Sequence, residues 1–307
     1  MKIVLYAPND AAFWIEALRL ALPEASIESW SSALETDADY AVVWKPPPGL
    51  LGRVGRARAV FNLGAGVDAI ANLNELRPGI PLVRLDDAGM AEQMIEYVCE
   101  AALRRYRDLD TYADQQREAL WRARPRGPKR DFAIGILGAG VLGTAVANAL
   151  VGLGFPVRAW SRTRRPIAQV ETFSGMDELA AFLSATRFLV CLLPLTRETE
   201  NLLDRARLAR LPRGAYVVNV ARGAIVVDRD LIGLLEEGHL AGATLDVFRD
   251  EPLPPESPFW HHPRVVVTPH VSAATLVQES VDQIAGKIRR LEARLPITGV
   301  VDRARGY

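Results

Sequence analysis

Three short stretches of this chain carry residue types that could hold a carboxylate and move a proton: Ala221-Arg222-Gly223, Arg249-Asp250-Glu251-Pro252 and Thr268-Pro269-His270. Each follows an apolar run that reads as a strand, namely Tyr216–Val220, Thr244–Val247 and Val265–Val267. In open α/β sheets, ligands bind at the carboxyl ends of strands. An arginine there can clamp a carboxylate and polarise the adjacent carbonyl through its planar fork of donors. A histidine can give a proton to the carbonyl oxygen as hydride reaches carbon. A carboxylate beside it orients the imidazole and favours its charged form. Arg222, Glu251 and His270 are therefore the candidate set for reducing the carbonyl of a small acid. Singly, each type has a plainer use: a solvated loop arginine, a turn glutamate, a packing histidine. His239 and the adjacent His261 and His262 take that plainer reading, and no pair has metal-ligand spacing with a carboxylate or thiolate partner. No metal site is expected.

A second constellation lies upstream. Phe132-Ala133-Ile134-Gly135-Ile136-Leu137 is an apolar run typical of a strand buried on both faces. It leads straight into Gly138-Ala139-Gly140-Val141-Leu142-Gly143, and Thr144–Leu150 continues with helical spacing. Gly138 permits the tight turn, Gly140 lets backbone approach a pyrophosphate, and Gly143 lets helix pack close to strand. The helix N-terminus adds free N–H groups and partial positive charge. A second strand, Pro156–Trp160, follows, so the setting is that of a dinucleotide fold. That strand ends in Trp160-Ser161-Arg162-Thr163-Arg164-Arg165, with no Asp or Glu before Glu171. A carboxylate there would accept the ribose hydroxyl of NAD, whereas Ser161, Arg162 and Thr163 offer donors and charge to a 2′-phosphate. NADP(H) is the expected cofactor, with NAD(H) possible.

These residues need a scaffold, and the chain is long enough to build one. Its 307 residues point to two domains, with 49% hydrophobic and 24% charged residues as in ordinary globular proteins. Thirty-seven basic and thirty-seven acidic residues cancel, so no global field favours nucleic acid or an anionic membrane. No apolar run nears the roughly 18 residues of a membrane helix. Met1–Ala7 reads as a first strand, and Cys99 and Cys191 read as small core residues. Together these features fit the cytoplasm.

The first ninety or so residues alternate strands (Lys2–Ala7, Tyr40–Trp44, Ala59–Leu63) with helical segments at Ala11–Ala21 and Ala69–Leu76, and Asn62–Asp68 forms a second glycine-rich turn. A long helix is expected from about Ala88 to Arg122, then a polar, proline-broken stretch, Gln115–Arg130. Beyond the glycine turn, strands at Val157–Trp160, Phe188–Leu193, Ala215–Val220, Ala243–Val247 and Val265–Thr268 alternate with helices at Asp177–Ser184, Asp204–Leu211 and Asp228–Glu237, each beginning at an Asp able to cap it. A last helix spans about Thr275–Arg294. Continuous apolar strands separated by helices mean parallel, doubly wound sheets.

Taken together, Gly138–Gly143, Asn219-Val220-Ala221-Arg222-Gly223, Leu245–Pro254 and Thr268-Pro269-His270 resemble the D-2-hydroxyacid dehydrogenases over nearly the whole chain. Trp44-Lys45-Pro46-Pro47, Asn62–Asp68, Trp160–Thr163 and the tail Val301–Tyr307 resemble the glyoxylate/hydroxypyruvate reductase A branch. The resemblance implies two Rossmann-like α/β domains, with the cofactor domain inserted into a split substrate domain. Residues 1–88 and 272–307 would form the substrate domain, and residues 89–271 the NADP-binding domain. It implies Arg222 as substrate ligand, His270 as acid and Glu251 as its partner. Trp44 and the backbone N–H groups of Leu63, Gly64 and Ala65 would serve the substrate carboxylate. Val141, Leu142, Leu193, Pro194 and Ala221 would join the glycines in holding the cofactor, and Asp246 would hold the nicotinamide carboxamide. A homodimer acting on a small 2-oxo acid is implied as well.

Two rivals remain on the sequence. A formate-dehydrogenase-like enzyme shares the scaffold, but formate oxidation has no carbonyl oxygen to protonate, so a Glu251–His270 pair argues against it. A nucleotide-sensing binding protein or corepressor could keep the fold without the activity.

Overall fold

Apolar runs that can be buried on both faces become central parallel strands, and this chain builds two sheets from them. The computed structural model describes residues 1–31, 37–68, 70 and 73–303. The chain divides into two compact units, Met1–Met90 with Thr275–Tyr307, and Ala91–Ala274.

In the first unit, β1 (Lys2–Tyr6), β2 (Ser26–Ser29), β3 (Tyr40–Val43), β4 (Ala59–Asn62) and β5 (Leu82–Val83) form a parallel sheet in the order β2-β1-β3-β4-β5. This is one of the two common doubly wound orders. Helix α1 (Ala11–Ala21) follows β1, and the short α2 (Leu50–Arg53) follows β3. Val4, Ala41, Val43 and Val60 face one cluster with Leu50 and Leu51. Ala69, Ala71 and Asn72, within the expected helix Ala69–Leu76, lie outside the described residues, as do residues 304–307 of the tail. Leu73–Glu75 form a single 3-10 turn.

The second unit opens with α3 (Met90–Tyr106) and α4 (Leu109–Arg117), where one helix from Ala88 to Arg122 is expected. The break falls at Asp108, which takes a left-handed conformation (φ 56). Asp tolerates that region better than most residues, so a helical pattern can stop there without Gly or Pro. Strands β6 (Ile134–Leu137), β7 (Val157–Ser161), β8 (Glu171–Ser174), β9 (Phe188–Cys191), β10 (Ala215–Asn219), β11 (Leu240–Leu245) and β12 (Val265–Val267) lie parallel in the order β12-β11-β10-β9-β6-β7-β8. The chain leaves β6 toward β7 and later returns to its other side at β9. That reversal is the switch point at which such sheets bind ligands.

Both faces of this sheet are covered. Ile134, Ile136, Phe188, Val190 and Val218 pack with Met94 and Val98 of α3 and with Val146 and Leu150 of α5 (Val141–Gly152). The alternate residues Leu137, Leu189, Cys191, Val217 and Leu245 pack with Phe182 and Leu183 of α6 (Gly175–Ser184) and with Leu231 and Leu235 of α8 (Asp228–Glu236). Each such side chain, fully buried, contributes roughly 1.5–3 kcal/mol. Of the three Asp residues expected as helix caps, only Asp204 acts as one, accepting from Arg207 N at 2.9 Å ahead of α7 (Arg205–Leu208). Asp177, the third residue of its helix, and Asp228, the first of its own, lie in the first turn, where their charge faces the helix N-terminus.

The last helix, α9 (Val277–Glu292), belongs to the first unit and packs against α1. Its buried stripe is Val281, Ile284, Ala285 and Ile288. Near its end, Glu292 accepts from the Tyr40 hydroxyl and from Arg58, each at 2.8 Å. Burial, then the Glu292 hydrogen bond, pushes the Tyr40 hydroxyl up to about 12. Beyond α9, Val301 N donates to Leu82 O at 2.8 Å, which lays Val301 alongside β5.

Candidate active site

The glycine turn after β6 answers three steric questions separately. Gly138 sits at φ 121, and a Cβ there would lie 2.7 Å from Leu192 O, against the end of β9. A Cβ on Gly143 would lie 1.8 Å from Gly138 O, so helix and strand touch backbone to backbone. Around a Cβ on Gly140 nothing lies within 4 Å. The turn is closed on its own chain at both ends and open in the middle. Helix α5 starts there with no side-chain cap. The first-turn N–H groups of any α-helix lack partners within it, so Val141, Leu142 and Gly143 present donors beside the open glycine. A dinucleotide pyrophosphate fits this donor set. At the neighbouring strand ends stand Ser161, whose Oγ donates to Thr163 O at 2.8 Å, and the nearly buried Leu193 followed by Pro194. Arg162 Nη1 lies 3.7 Å from Glu198 Oε2, both side chains largely in solvent. Arg164 is engaged by the Thr172 carbonyl and Glu178.

Three successive strands, β10, β11 and β12, then deliver the candidate chemistry. Asn219 ends β10 and clamps the next turn: its Oδ1 accepts from Ala221 N at 3.2 Å and its Nδ2 donates to Arg222 O at 3.0 Å. Arg222 Nη1 donates to Ala221 O at 2.6 Å. A Cβ on Gly223 would lie 1.9 Å from the Phe248 carbonyl carbon, so the Arg222 turn rests directly on the turn that carries Glu251. Glu251 is fixed from both sides, with Oε1 accepting from Phe248 N at 2.9 Å and Oε2 lying 2.8 Å from His270 Nδ1. Because a carboxylate only accepts, Nδ1 carries the proton, and Nε2 is the nitrogen turned to any ligand. His270 and Glu251 are 42% and 35% exposed, open enough to be reached. Arg249 takes no part here, donating instead to Asn201 Oδ1 at 2.7 Å.

Asp246, expected at the nicotinamide, is wholly buried. Its Oδ1 accepts from Thr268 Oγ1 (2.6 Å) and Val271 N (2.8 Å), and its Oδ2 from Ser272 N (2.8 Å). A carboxylate has about four acceptor positions. Three are taken by the turn around His270.

In the first unit, the second glycine-rich turn is built differently. Asn62 ends β4, is fully buried, and donates through Nδ2 to Gly64 O (3.0 Å) and Gly66 O (2.8 Å). Leu63 N donates to Val43 O at 3.0 Å. A Cβ on Gly64 would meet the Trp44 ring at 2.6 Å, so Trp44, Leu63, Gly64 and Ala65 form one local structure.

The remaining candidates fall elsewhere. His239 Nε2 meets Leu211 O at 3.0 Å, and His262 Nδ1 accepts from Arg264 N at 3.1 Å. Both cysteines are free, and burial pushes Cys191 up to about 12. Among the described residues no cluster of His, Cys, Asp or Glu is suited to a metal ion, and no helix is long and apolar enough to cross a membrane. Sequence reading did not single out Asn62, Asn219, Thr268 or Tyr97 for a role. The first two had a usable signal, as amides at the ends of otherwise apolar buried strands.

This doubly wound fold with an acid–imidazole pair at its strand ends defines a nucleotide-dependent oxidoreductase scaffold. Residues 99–272 match the family model described as D-isomer specific 2-hydroxyacid dehydrogenase, NAD binding domain, and the chain belongs to that family. A D-isomer specific 2-hydroxyacid dehydrogenase from Xanthobacter autotrophicus Py2, solved in complex with NADPH and MES, is 40% identical, with 100% of this chain and 99% of that one covered and a TM-score of 0.94. An NADPH-dependent glyoxylate/hydroxypyruvate reductase from Sinorhizobium meliloti, solved with NADP and sulfate, is 37% identical over 100% and 99% of the chains, with a TM-score of 0.91. A probable 2-hydroxyacid dehydrogenase from Rhizobium etli CFN 42, solved with NADP, HEPES and tartaric acid, is 32% identical over the same shares, with a TM-score of 0.93.

Proposed function

We propose that this protein reduces a small 2-oxo acid, glyoxylate or hydroxypyruvate, to its 2-hydroxy acid with NADPH. The observation that carries the proposal is the Glu251 Oε2–His270 Nδ1 contact of 2.8 Å at the carboxyl edge of the larger sheet. It orients Nε2 outward as the proton donor to a bound carbonyl oxygen.

In this reading, unit Ala91–Ala274 binds the cofactor and the other unit serves the substrate. Gly138, Gly140, Val141, Leu142 and Gly143 hold the pyrophosphate. Ser161, Arg162 and Thr163 take the 2′-phosphate, while Leu193, Pro194 and Ala221 line the path between. Asp246 offers its one remaining acceptor position to the carboxamide. When bound, the reduced nicotinamide supplies the hydride. Arg222 polarises the carbonyl, His270 protonates its oxygen, and Glu251 holds the imidazolium. The amides of Gly64 and Ala65, with Trp44, serve the carboxylate; the Leu63 amide, expected among them, already donates to Val43 O. The resemblance to the Sinorhizobium enzyme and the absence of an acidic residue from Ser161 to Val170 support the choice of substrate and of NADPH.

A cytoplasmic location and a homodimer belong to the same proposal. Both cysteines are free, and the irregular segment 118–128 exposes Leu120 and a Trp121 with 102% relative exposure, which suits burial against a second copy. Light scattering tests the dimer directly.

The deciding experiment follows NADPH and NADH oxidation with glyoxylate, hydroxypyruvate, pyruvate and phenylpyruvate. Fastest turnover is expected with NADPH and the two smaller hydrophilic acids. NADPH binding without oxidation by any of them would leave a nucleotide-sensing binding protein instead.

A further inference from the structure

His270 adopts φ 56, a region that residues with a Cβ avoid and that persists only where the surroundings impose it. The imposing groups can be traced. Asp246 holds three consecutive amides of the turn: its carbonyl accepts from His270 N at 2.8 Å, and its carboxylate from Val271 N and Ser272 N, each at 2.8 Å. The Thr268 hydroxyl adds a fourth bond, to Asp246 Oδ1 at 2.6 Å. Thr268 Oγ1 also lies 2.5 Å from the Tyr97 hydroxyl. A hydroxyl has one proton, and that of Thr268 is committed to a carboxylate that can only accept. Tyr97 must therefore be the donor, and the chain has one direction, Tyr97 to Thr268 to Asp246. Hydrogen bonds aligned in this way polarise one another. Four residues earlier on the same face of α3, Gln93 grips the far end of the segment, donating to Ala274 O and accepting from Ala274 N, both at 3.0 Å.

We propose that Tyr97 and Thr268 are positioning residues for His270, fixing through Asp246 the single turn conformation that keeps the imidazole on Glu251 with Nε2 facing outward. The proposal rests on the reading of His270 as proton donor. Burial, the largest influence, pushes the Tyr97 hydroxyl up to about 12, so it remains a donor across the neutral range.

The test compares Thr268→Val, Thr268→Ser and Tyr97→Phe in the full-length protein. Thr268→Val keeps the shape but removes both the donor to Asp246 and the acceptor for Tyr97. It is expected to lower kcat about 10- to 100-fold, the range that loss of an outer-shell hydrogen-bond partner costs at metal-bound imidazoles. The dissociation constant of NADPH should stay at the parent value, and Thr268→Ser should restore kcat. In a His270→Ala background, Thr268→Val should cost nothing further, since it acts through the ring already removed.

A readout independent of turnover comes from ring-labelled histidine in NMR. The chain has four histidines, and His270→Ala identifies the resonance of interest. Thr268→Val and Tyr97→Phe should shift or split it, and Thr268→Ser should return it. Tyr97→Phe retains the ring and serves if Thr268→Val fails to fold. An unmoved His270 resonance in the hydroxyl-deleted variants, or an undiminished Thr268→Val penalty without His270, overturns the proposal. If the parent reduces no 2-oxo acid, the reductase reading falls, while the His270 resonance still decides the network.

Discussion

The two glycine-rich turns, Gly138–Gly143 and Leu63–Gly66, look alike in sequence and use glycine for opposite ends. Both follow a fully buried parallel strand. In the first, the space beside Gly140 is open and a twelve-residue helix follows at once. In the second, the space beside Gly64 holds the protein's own Trp44 ring, and Asn62 pulls the carbonyls of Gly64 and Gly66 inward. One glycine leaves room for a ligand; the other makes room for a side chain. Composition cannot distinguish them, because the distinction depends on what fills the missing Cβ position.

Substitutions can break or sharpen this contrast. His270→Ala sets the reference, because it removes the chemistry and touches neither turn. It should cost ~10²–10⁴ in kcat while leaving NADPH affinity intact. Turnover near the parent rate would remove His270 as the acid. Gly140→Val comes next. At φ −80 the backbone accepts a branched residue, and nothing stands within 4 Å. Thermal stability should hold, while one or two charge-assisted contacts to phosphate are lost, roughly a 10- to 100-fold rise in the NADPH dissociation constant. Unchanged affinity would close the open turn as a cofactor site.

Gly64→Ala should do the reverse. Forcing a methyl against Trp44 overpacks the first unit and should cost about 1–3 kcal/mol in denaturant unfolding, with NADPH affinity unaffected. Trp44→Leu in the same chain should relieve the loss, and failure to do so would show that the ring is not what fills the site. Arg162→Ala is the mildest, with about a tenfold rise in KM for NADPH and little change for NADH. Equal loss with both cofactors would assign Arg162 to its Glu198 contact rather than to a phosphate.

Much of the fold was legible because strands buried on both faces leave an unbroken apolar record, as at Phe188–Cys191 and Ala215–Asn219. Strands β2 and β8 left none. They are edge strands reading Ser-Ile-Glu-Ser and Glu-Thr-Phe-Ser, partly in water, and their pairing is backbone chemistry that side chains do not advertise. The helix break at Asp108 was hidden for a related reason, since a left-handed Asp looks like any helix-surface Asp. For the candidate site, the residues proposed to react stand out by type, so Arg222, Glu251 and His270 could be picked out by their position after strands. Residues that hold others in place do not. Asn219, Thr268 and Tyr97 are ordinary polar residues until their partners across the fold are known, and Asp246 shows its three turn contacts only in three dimensions.

The return of α9 to the first unit has a consequence for biosynthesis. Strands β1–β5 leave the ribosome early, yet the helix that covers α1 and the Val301 strap beside β5 lie beyond the whole Ala91–Ala274 unit. At ribosomal rates of roughly 5–20 residues per second, that intervening unit takes on the order of 10–40 s to synthesise. The second unit can therefore finish folding first, while the earlier-made sheet waits with its α1 face uncovered. A released chain truncated after Ala274 should carry one protease-resistant unit and one susceptible one, in the opposite order to their synthesis.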